Sequence, residues 1–266
     1  MIDIPITRTF DLLDHLTTNY PKDDILAGKA KFTDAPFKSA VQMVKTMYDD
    51  GVLSQTSLAT PYGDVPGQFA TEKGAYLIDG DWRAGAFMTD ASTGLALIDP
   101  AKQESDIELI QFPALPGEKL AGSNSGTLGV GYGMSSSIEA GSAKEEAAWE
   151  LIKWLSGPEM QQRRLDTGAS FPSLNSGINF DNLEPLAEKR ADWYGTASAV
   201  TPVFDAVFPP EVASVINGEL QKLGMGMSDV DDVCEAVENA LFNVKPELKP
   251  AETEKKAEKK WWQFWK

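Results

Sequence analysis

Asp79-Gly80-Asp81-Trp82-Arg83 places two carboxylates, an indole and a guanidinium side by side, directly after the apolar run Ala75-Tyr76-Leu77-Ile78. In α/β proteins the ends of strands are where ligands gather. The face of Trp82 is flat and apolar and suits the C–H face of a sugar ring, while Asp81 and Arg83 can bond its hydroxyls. The same residues equally allow another arrangement, with Trp82 packed between layers and the charges in water. A glycosidase acid and base need roughly 5 to 9.5 Å between them across the scissile bond, and the closeness of Asp79 and Asp81 in sequence is no evidence of that.

Other candidate constellations resolve into structural roles. Gly126, Gly129, Gly131 and Gly133 are followed by no Gly-Lys-Ser/Thr and miss the dinucleotide spacing, so they are read as a hinge strand in which glycine permits close approach or a bend. Asp229, Asp231 and Asp232 lack the glycine and later Glu of a calcium loop and fit an acidic helix N-terminus. His15, in the helical pattern Phe10-Asp-Leu-Leu-Asp-His-Leu, has no Ser or Cys motif with which to form a triad. Cys234 sits on an apolar helix face, where a thiol behaves as a small hydrophobe. One Cys and one His can neither close an internal disulfide nor make the usual tetrahedral zinc site, and neither metal nor cofactor is expected.

Bulk charge narrows the partners. The 266 residues carry 40 Asp plus Glu against 24 Lys plus Arg, a formal −16, which repels phosphate backbones and anionic headgroups and argues against a nucleic-acid partner. At 42% hydrophobic the chain can bury one sizeable core or two smaller ones. No stretch reaches the roughly 18 apolar residues of a membrane span. Met1-Ile-Asp-Ile-Pro-Ile-Thr-Arg lacks the parts of a secretory signal, so either the protein is cytoplasmic or its targeting segment is absent from this chain. Residues 245–266 reverse the charge with seven Lys and four Glu, leaving −19 on the rest. That stretch reads as a tether, since it has little to bury against its ordering entropy. It ends in Trp261, Trp262, Phe264 and Trp265 among lysines, a composition that suits weak membrane contact or docking on a partner protein.

The elements that must carry these residues follow from periodicity. Asp34-Ala-Pro-Phe opens a helix with Phe37, Ala40, Val41, Val44, Met47 and Tyr48 on one face, ended by Gly51. Ser142 through Glu145 has capping-box spacing ahead of Ala148, Leu151, Ile152 and Leu155, and Gly157-Pro158 ends that helix. A more polar helix runs from Pro158 to about Thr167, and another follows Ser228 with Val230, Val233, Val237, Ala240 and Leu241 inward. Further helices are expected near 184–192 and 210–222. Residues 75–78, 107–112 and 127–132 read as short strands, and the alternation predicts α/β layers.

In order, these pieces resemble a known family. Phe32-Thr-Asp-Ala-Pro-Phe, Met47-Tyr-Asp-Asp-Gly, Phe69 through Trp82, Phe112-Pro-Ala-Leu-Pro-Gly, Gly129-Val-Gly-Tyr-Gly-Met, Ala147-Ala-Trp-Glu-Leu-Ile-Lys-Trp-Leu-Ser and Gly168-Ala-Ser-Phe-Pro-Ser are similar to the maltose-binding-like solute-binding proteins of ABC sugar importers. The resemblance implies a periplasmic-binding-protein type II fold, α/β and two-lobed, here mostly the C-terminal lobe plus part of the N-terminal lobe. Residues 1–121 would be C-terminal-lobe segment, 122–180 hinge strand and partial N-terminal lobe, 181–244 returning C-terminal-lobe helices, and 245–266 the tether. Trp82 matches the family's stacking aromatic, Tyr132 with Gly131 an aromatic segment facing the cleft, and Ser173 a ligand-contacting loop. Phe204 and Phe208 stand where the family has an aromatic in the returning helix, and are read as core in preference to that role. With the chain starting inside the C-terminal lobe, the helices of 142–168 are expected to show uncovered apolar faces. The implied function is capture of a carbohydrate outside the cell or in the periplasm, at the cell surface, for ABC permease subunits. A glycoside-active enzyme and a surface-attached interaction protein are the alternatives.

Overall fold

The structure, a computed structural model, describes residues 22–54, 58–90, 92–110, 124–126, 131–168, 170–173, 176–181, 183–196, 198 and 200–249. Its helices are α1 (Lys22–Leu26), α2 (Ala35–Asp49), α3 (Val65–Ala70), α4 (Pro100–Ser105), α5 (Ala143–Ser156), α6 (Pro158–Asp166), α7 (Pro185–Thr196), α8 (Phe204–Val207), α9 (Pro210–Gly224) and α10 (Val230–Val244). Strands β1 (Asn124–Gly126) and β2 (Val200–Pro202) pair in parallel, Ser125 opposite Thr201. The expected helix with His15, the strand portions at 111–112 and 127–130, the Phe112–Gly117 block and the tail from residue 250 lie outside the described residues.

The main core forms where α2, α9 and α10 press their apolar stripes together. Phe37, Val41 and Val44 meet Val212, Ile216 and Leu220 and also Val233, Val237 and Leu241, with Cys234 sealed among them. Phe204 and Phe208 belong to this core, their rings 4.4 Å apart, and Phe32 lies edge-on to Phe37 at 4.8 Å. Asp229 and Asp232 form a capping box at the start of α10, which satisfies donors that the first turn otherwise leaves open. At α2 the cap differs from expectation. Asp34 occupies the N-cap position, but its carboxylate accepts from Lys31 N at 2.8 Å instead of from the helix.

A second, smaller cluster packs Ala84, Phe87, Met88 and Ile98 against Leu186 and Ala187 of α7. This cluster fixes the turn that holds Asp81, Trp82 and Arg83 to α7.

Two expectations change. Residues 75–78 and 107–110 run without ladder assignment, and among the described residues the sheet has only β1 and β2. An extended segment becomes a strand only beside an edge that takes its N–H and C=O groups, and among the described residues neither segment has one. The tether starts later than composition implies, because a 3₁₀ turn at Pro246–Leu248 lays Leu248 against the main core. The expected uncovered apolar face is present on α5, which has no buried residue, and Trp149, Leu151 and Trp154 are about half exposed. On α6, by contrast, Leu165 is buried.

Candidate functional site

Asp81–Ala86 forms a 3₁₀ turn rather than the end of a strand, and the turn sends its three polar and aromatic side chains in different directions. Trp82 folds back over Gly80. A Cβ on Gly80 would lie 2.1 Å from the indole ring, so only glycine admits this conformation. The indole N–H donates to the Tyr62 hydroxyl at 2.9 Å, and that hydroxyl donates to Asp79 at 3.1 Å. With its N–H spent, Trp82 presents its ring, 42% exposed.

Arg83 turns inward. Its Nε donates to Asp79 Oδ2 at 2.7 Å, and its guanidinium carbon stands 3.9 Å over the centre of the Tyr62 ring. The Asp79 side chain is 3% exposed, and the Arg83 Nη2 is sealed from water without a partner. Burial, together with the Asp79 charge, raises the Tyr62 pKa, against the pull of the indole donor and Arg83. Tyr62, Asp79 and Arg83 therefore form a bracket behind the indole.

Asp81 points the other way, toward α7. Its Oδ2 accepts from Arg190 Nε at 2.7 Å and from the Tyr194 hydroxyl at 2.7 Å, and Arg190 Nη2 closes on the same oxygen. Arg190 is 4% exposed, and its Nη1 donates to the Gly168 carbonyl at 2.9 Å. Burying a guanidinium is costly unless it is paired and bonded, and these contacts meet that need. All three polar contacts of Asp81 fall on Oδ2. Among the described residues Oδ1 is an unspent acceptor, held in place by its sister oxygen. Burial first, then the bond to Asp81 and its charge, push the Tyr194 pKa up to about 12, with Arg190 opposing. Gly168 takes φ 65° past the end of α6, with Met88 and Gly85 close against it, which ties α6 to the same turn.

Of the other residues singled out from sequence, Tyr132 and Ser173 bond to α6 and Gly131 does not. The Tyr132 hydroxyl accepts from Arg164 Nη2, and the guanidinium lies 5.3 Å from the centre of its ring. Ser173 donates through N and Oγ to Gln161 Oε1 at 2.7 and 3.2 Å. Gly131 is exposed, with open space where a Cβ would be. The Phe171 ring stands 4.8 Å from the Tyr194 ring and 5.9 Å from that of Phe180.

The structure thus assembles Asp81, Trp82 and Arg83 around Tyr62, Arg190 and Tyr194, three residues that nothing in their local sequence marked. An open depression of about 710 Å³ lies next to this cluster, lined by Gly85, Met88, Thr89, Asp90, Leu97 and Thr167. It contains neither Trp82 nor Asp81. Its one charged side chain, Asp90, bonds Ser92 and Thr93 within its own turn, which holds its pKa down at about 2. The flat indole face and the open carboxylate oxygen both belong to the polar and aromatic cluster on the Asp81–Ala86 turn, not to the depression. Among the described residues no group of three His, Cys, Asp or Glu is placed to hold a metal ion, and no helix is long and apolar enough to cross a membrane.

Comparison with known proteins places the chain. A family model described as bacterial extracellular solute-binding protein matches residues 12–181. A chitin oligosaccharide binding protein superposes with a TM-score of 0.78 at 20% identity, over 94% of this chain and 61% of its own. A structure from work on xylan utilization by the thermophilic bacterium Caldanaerobius polysaccharolyticus gives 0.68 at 16% identity, over 90% and 61%. A Streptococcus pneumoniae solute-binding protein in complex with the blood group A-trisaccharide gives 0.62 at 17%, over 90% and 59%. The chain spans about three fifths of the length of these structures. No curated protein sequence matches it.

Proposed function

Because the chain belongs to the bacterial extracellular solute-binding protein family and shares the fold of its two-lobed members, we propose that it captures a carbohydrate for import by an ABC transporter. The observation that carries this reading is the pairing of an exposed indole face with Asp81, whose Oδ2 is clamped by Arg190 and Tyr194 while Oδ1 stays open. Stacking and a fixed acceptor are what a neutral, hydroxyl-rich ring requires. Carbohydrate-binding neighbours support the same ligand class.

In this proposal Trp82 stacks on the sugar and Asp81 accepts one of its hydroxyls. Arg83 is a positioning residue behind the indole. Tyr132 with Gly131, and Ser173, add contacts from the segment anchored on α6. The lobe divisions fall near residues 121 and 180, a permease receives the ligand, and the protein works outside the cell or in the periplasm. Binding without chemistry fits the burial of Asp79 behind Arg83, since a glycosidase acid or base must reach the scissile bond.

The test is isothermal titration calorimetry of the full chain against neutral chito-, xylo- and malto-oligosaccharides, with reducing-end detection over time. Saturable binding without product is expected, and Trp82→Ala should weaken it about tenfold, the upper range for one aromatic contact. Product formation, or binding unchanged in Trp82→Ala, refutes the proposal.

A further inference from the structure

The chain has eight methionines, and the fold treats them unequally. Met88 is 3% exposed inside the second cluster, Met47 packs against the main core, and Met43, Met134 and Met160 are partly covered. Met225 and Met227 are 48% and 70% exposed and belong to neither cluster. They stand in the link Gly224-Met225-Gly226-Met227 between α9 and α10. That link is held by main-chain bonds in which the thioethers take no part: Met225 N donates to Gln221 O at 3.0 Å, Gly226 N to Leu223 O at 3.0 Å and Met227 N to Lys222 O at 2.8 Å. Gly226 takes φ 70°, with open space where a Cβ would lie, so the backbone reverses and closes the carbonyls at the end of α9. Both sulfur-bearing side chains are thereby delivered to water without any opening of the fold.

We propose that Met225 and Met227 form a reversible oxidation site for hydroperoxides. With hydrogen peroxide, a sulfur lone pair attacks one peroxide oxygen, the O–O bond breaks as the S–O bond forms, and the other oxygen leaves as water after proton transfer. Each sulfur gives up two electrons, which reduce the peroxide. The sulfoxide is polar, and at this link its oxygen enters water, so neither the main-chain closure of α9 nor either apolar cluster is disturbed. At Met88 the same oxygen would be forced among Phe87, Ile98 and Leu186, a polar group buried without a partner. Folding therefore shields that sulfur and leaves the pair open. Methionine sulfoxide reductases, one for each sulfoxide epimer, reverse the step: the oxygen leaves as water while two thiols become a disulfide. An exposed link between two helices admits them.

The test treats the full chain with hydrogen peroxide and follows it over time by peptide mapping with mass spectrometry, alongside far-UV circular dichroism. Met225 and Met227 should each gain one oxygen before Met47 or Met88 gains any, with the spectrum and the melting temperature unchanged. In urea the difference in rate among the four should disappear. Incubation with both epimer-specific reductases and dithiothreitol should then remove the two oxygens. Met225→Leu/Met227→Leu, which keeps apolar side chains of similar size, should lose the early uptake and keep the spectrum. Met47 or Met88 oxidised as fast as the pair in the folded chain, oxidation of the pair that unfolds the chain, or sulfoxides that the reductases leave in place would each overturn the proposal.

Discussion

Arg190→Met tests whether the clamp on Asp81 is both a structural and a binding device. Arg190 is almost fully buried and reaches three places at once: Asp81 in the 3₁₀ turn, the Gly168 carbonyl after α6, and its own helix α7. Methionine restores much of the aliphatic volume but none of the donors. Removing one partner of a buried ion pair costs about 3–5 kcal/mol. The Asp81 side chain is 20% exposed, so water repays part of the loss and the lower end, about 3 kcal/mol, applies. The orphaned Gly168 carbonyl adds about 1 kcal/mol. Urea unfolding followed by far-UV circular dichroism should therefore show a midpoint lower by more than about 1 M at an ordinary slope of about 1–3 kcal/mol/M.

The companion variant decides the cause. In Asp81→Leu/Arg190→Met no charge is left unpaired, and such replacements are often neutral. The double variant should be more stable than Arg190→Met alone, with a coupling of about 2 kcal/mol, yet it should bind sugar no better, since the acceptor is gone. A loss under about 1 kcal/mol in Arg190→Met, or a double variant no better than the single, would refute the claim that Arg190 is there to hold Asp81.

Gly80→Ala drives a methyl into the indole seat, where the ring atoms lie 2.1 to 2.3 Å from the added carbon. Trp82 should swing into solvent, costing about 0.5–1.5 kcal/mol for its bond to Tyr62, and calorimetry should show the sugar affinity falling as far as in Trp82→Ala; retained affinity would exclude the observed indole position from binding. At alkaline pH, burial has raised both Tyr194, from 10.0 to about 12, and Cys234, from 9.0 to about 12. Each contributes stability that is complete below its unfolded value and is lost as pH rises through the folded one. Unfolding free energy should thus decline between about pH 9 and 12, and Cys234→Ala should delay the onset toward pH 10, the Tyr194 range; a flat profile over that window would contradict the burial of both groups.

What the sequence revealed of the site depended on distance along the chain. Asp81, Trp82 and Arg83 are neighbours, so their chemistry could be read together. Arg190 and Tyr194 reach Asp81 from 109 and 113 positions away, and Tyr62 reaches Trp82 from 20. An arginine on a helix carries no local sign of the carboxylate it will meet. The inward turn of Arg83 was equally hidden, since it follows from a 3₁₀ turn that sets Asp79 and Arg83 four residues apart as a pair, where a strand end would have left the guanidinium free. The long helices were legible because apolar residues at helical spacing meet a core in only one way. The strands were not, because an extended run such as 75–78 needs a pairing edge that no local pattern supplies.

The contrast between α2 and α5 shows where that legibility stops. Both have a capping residue, an apolar stripe at three and four, and a glycine past the end. In α2, Phe37, Ala40, Val41 and Val44 are buried, because α9 and α10 present matching stripes. In α5 no residue is buried: Leu151 of the stripe, and Trp149 and Trp154 that widen it, are about half exposed. Periodicity therefore encodes the face that a helix offers and not the surface that it meets. A stripe this wide exceeds the scattered apolar exposure that soluble surfaces ordinarily carry. The Trp82 cluster is held differently: among the described residues, Tyr62, Asp79, Asp81, Trp82 and Arg83 are joined to one another and to Arg190 and Tyr194 of α7 by direct hydrogen bonds.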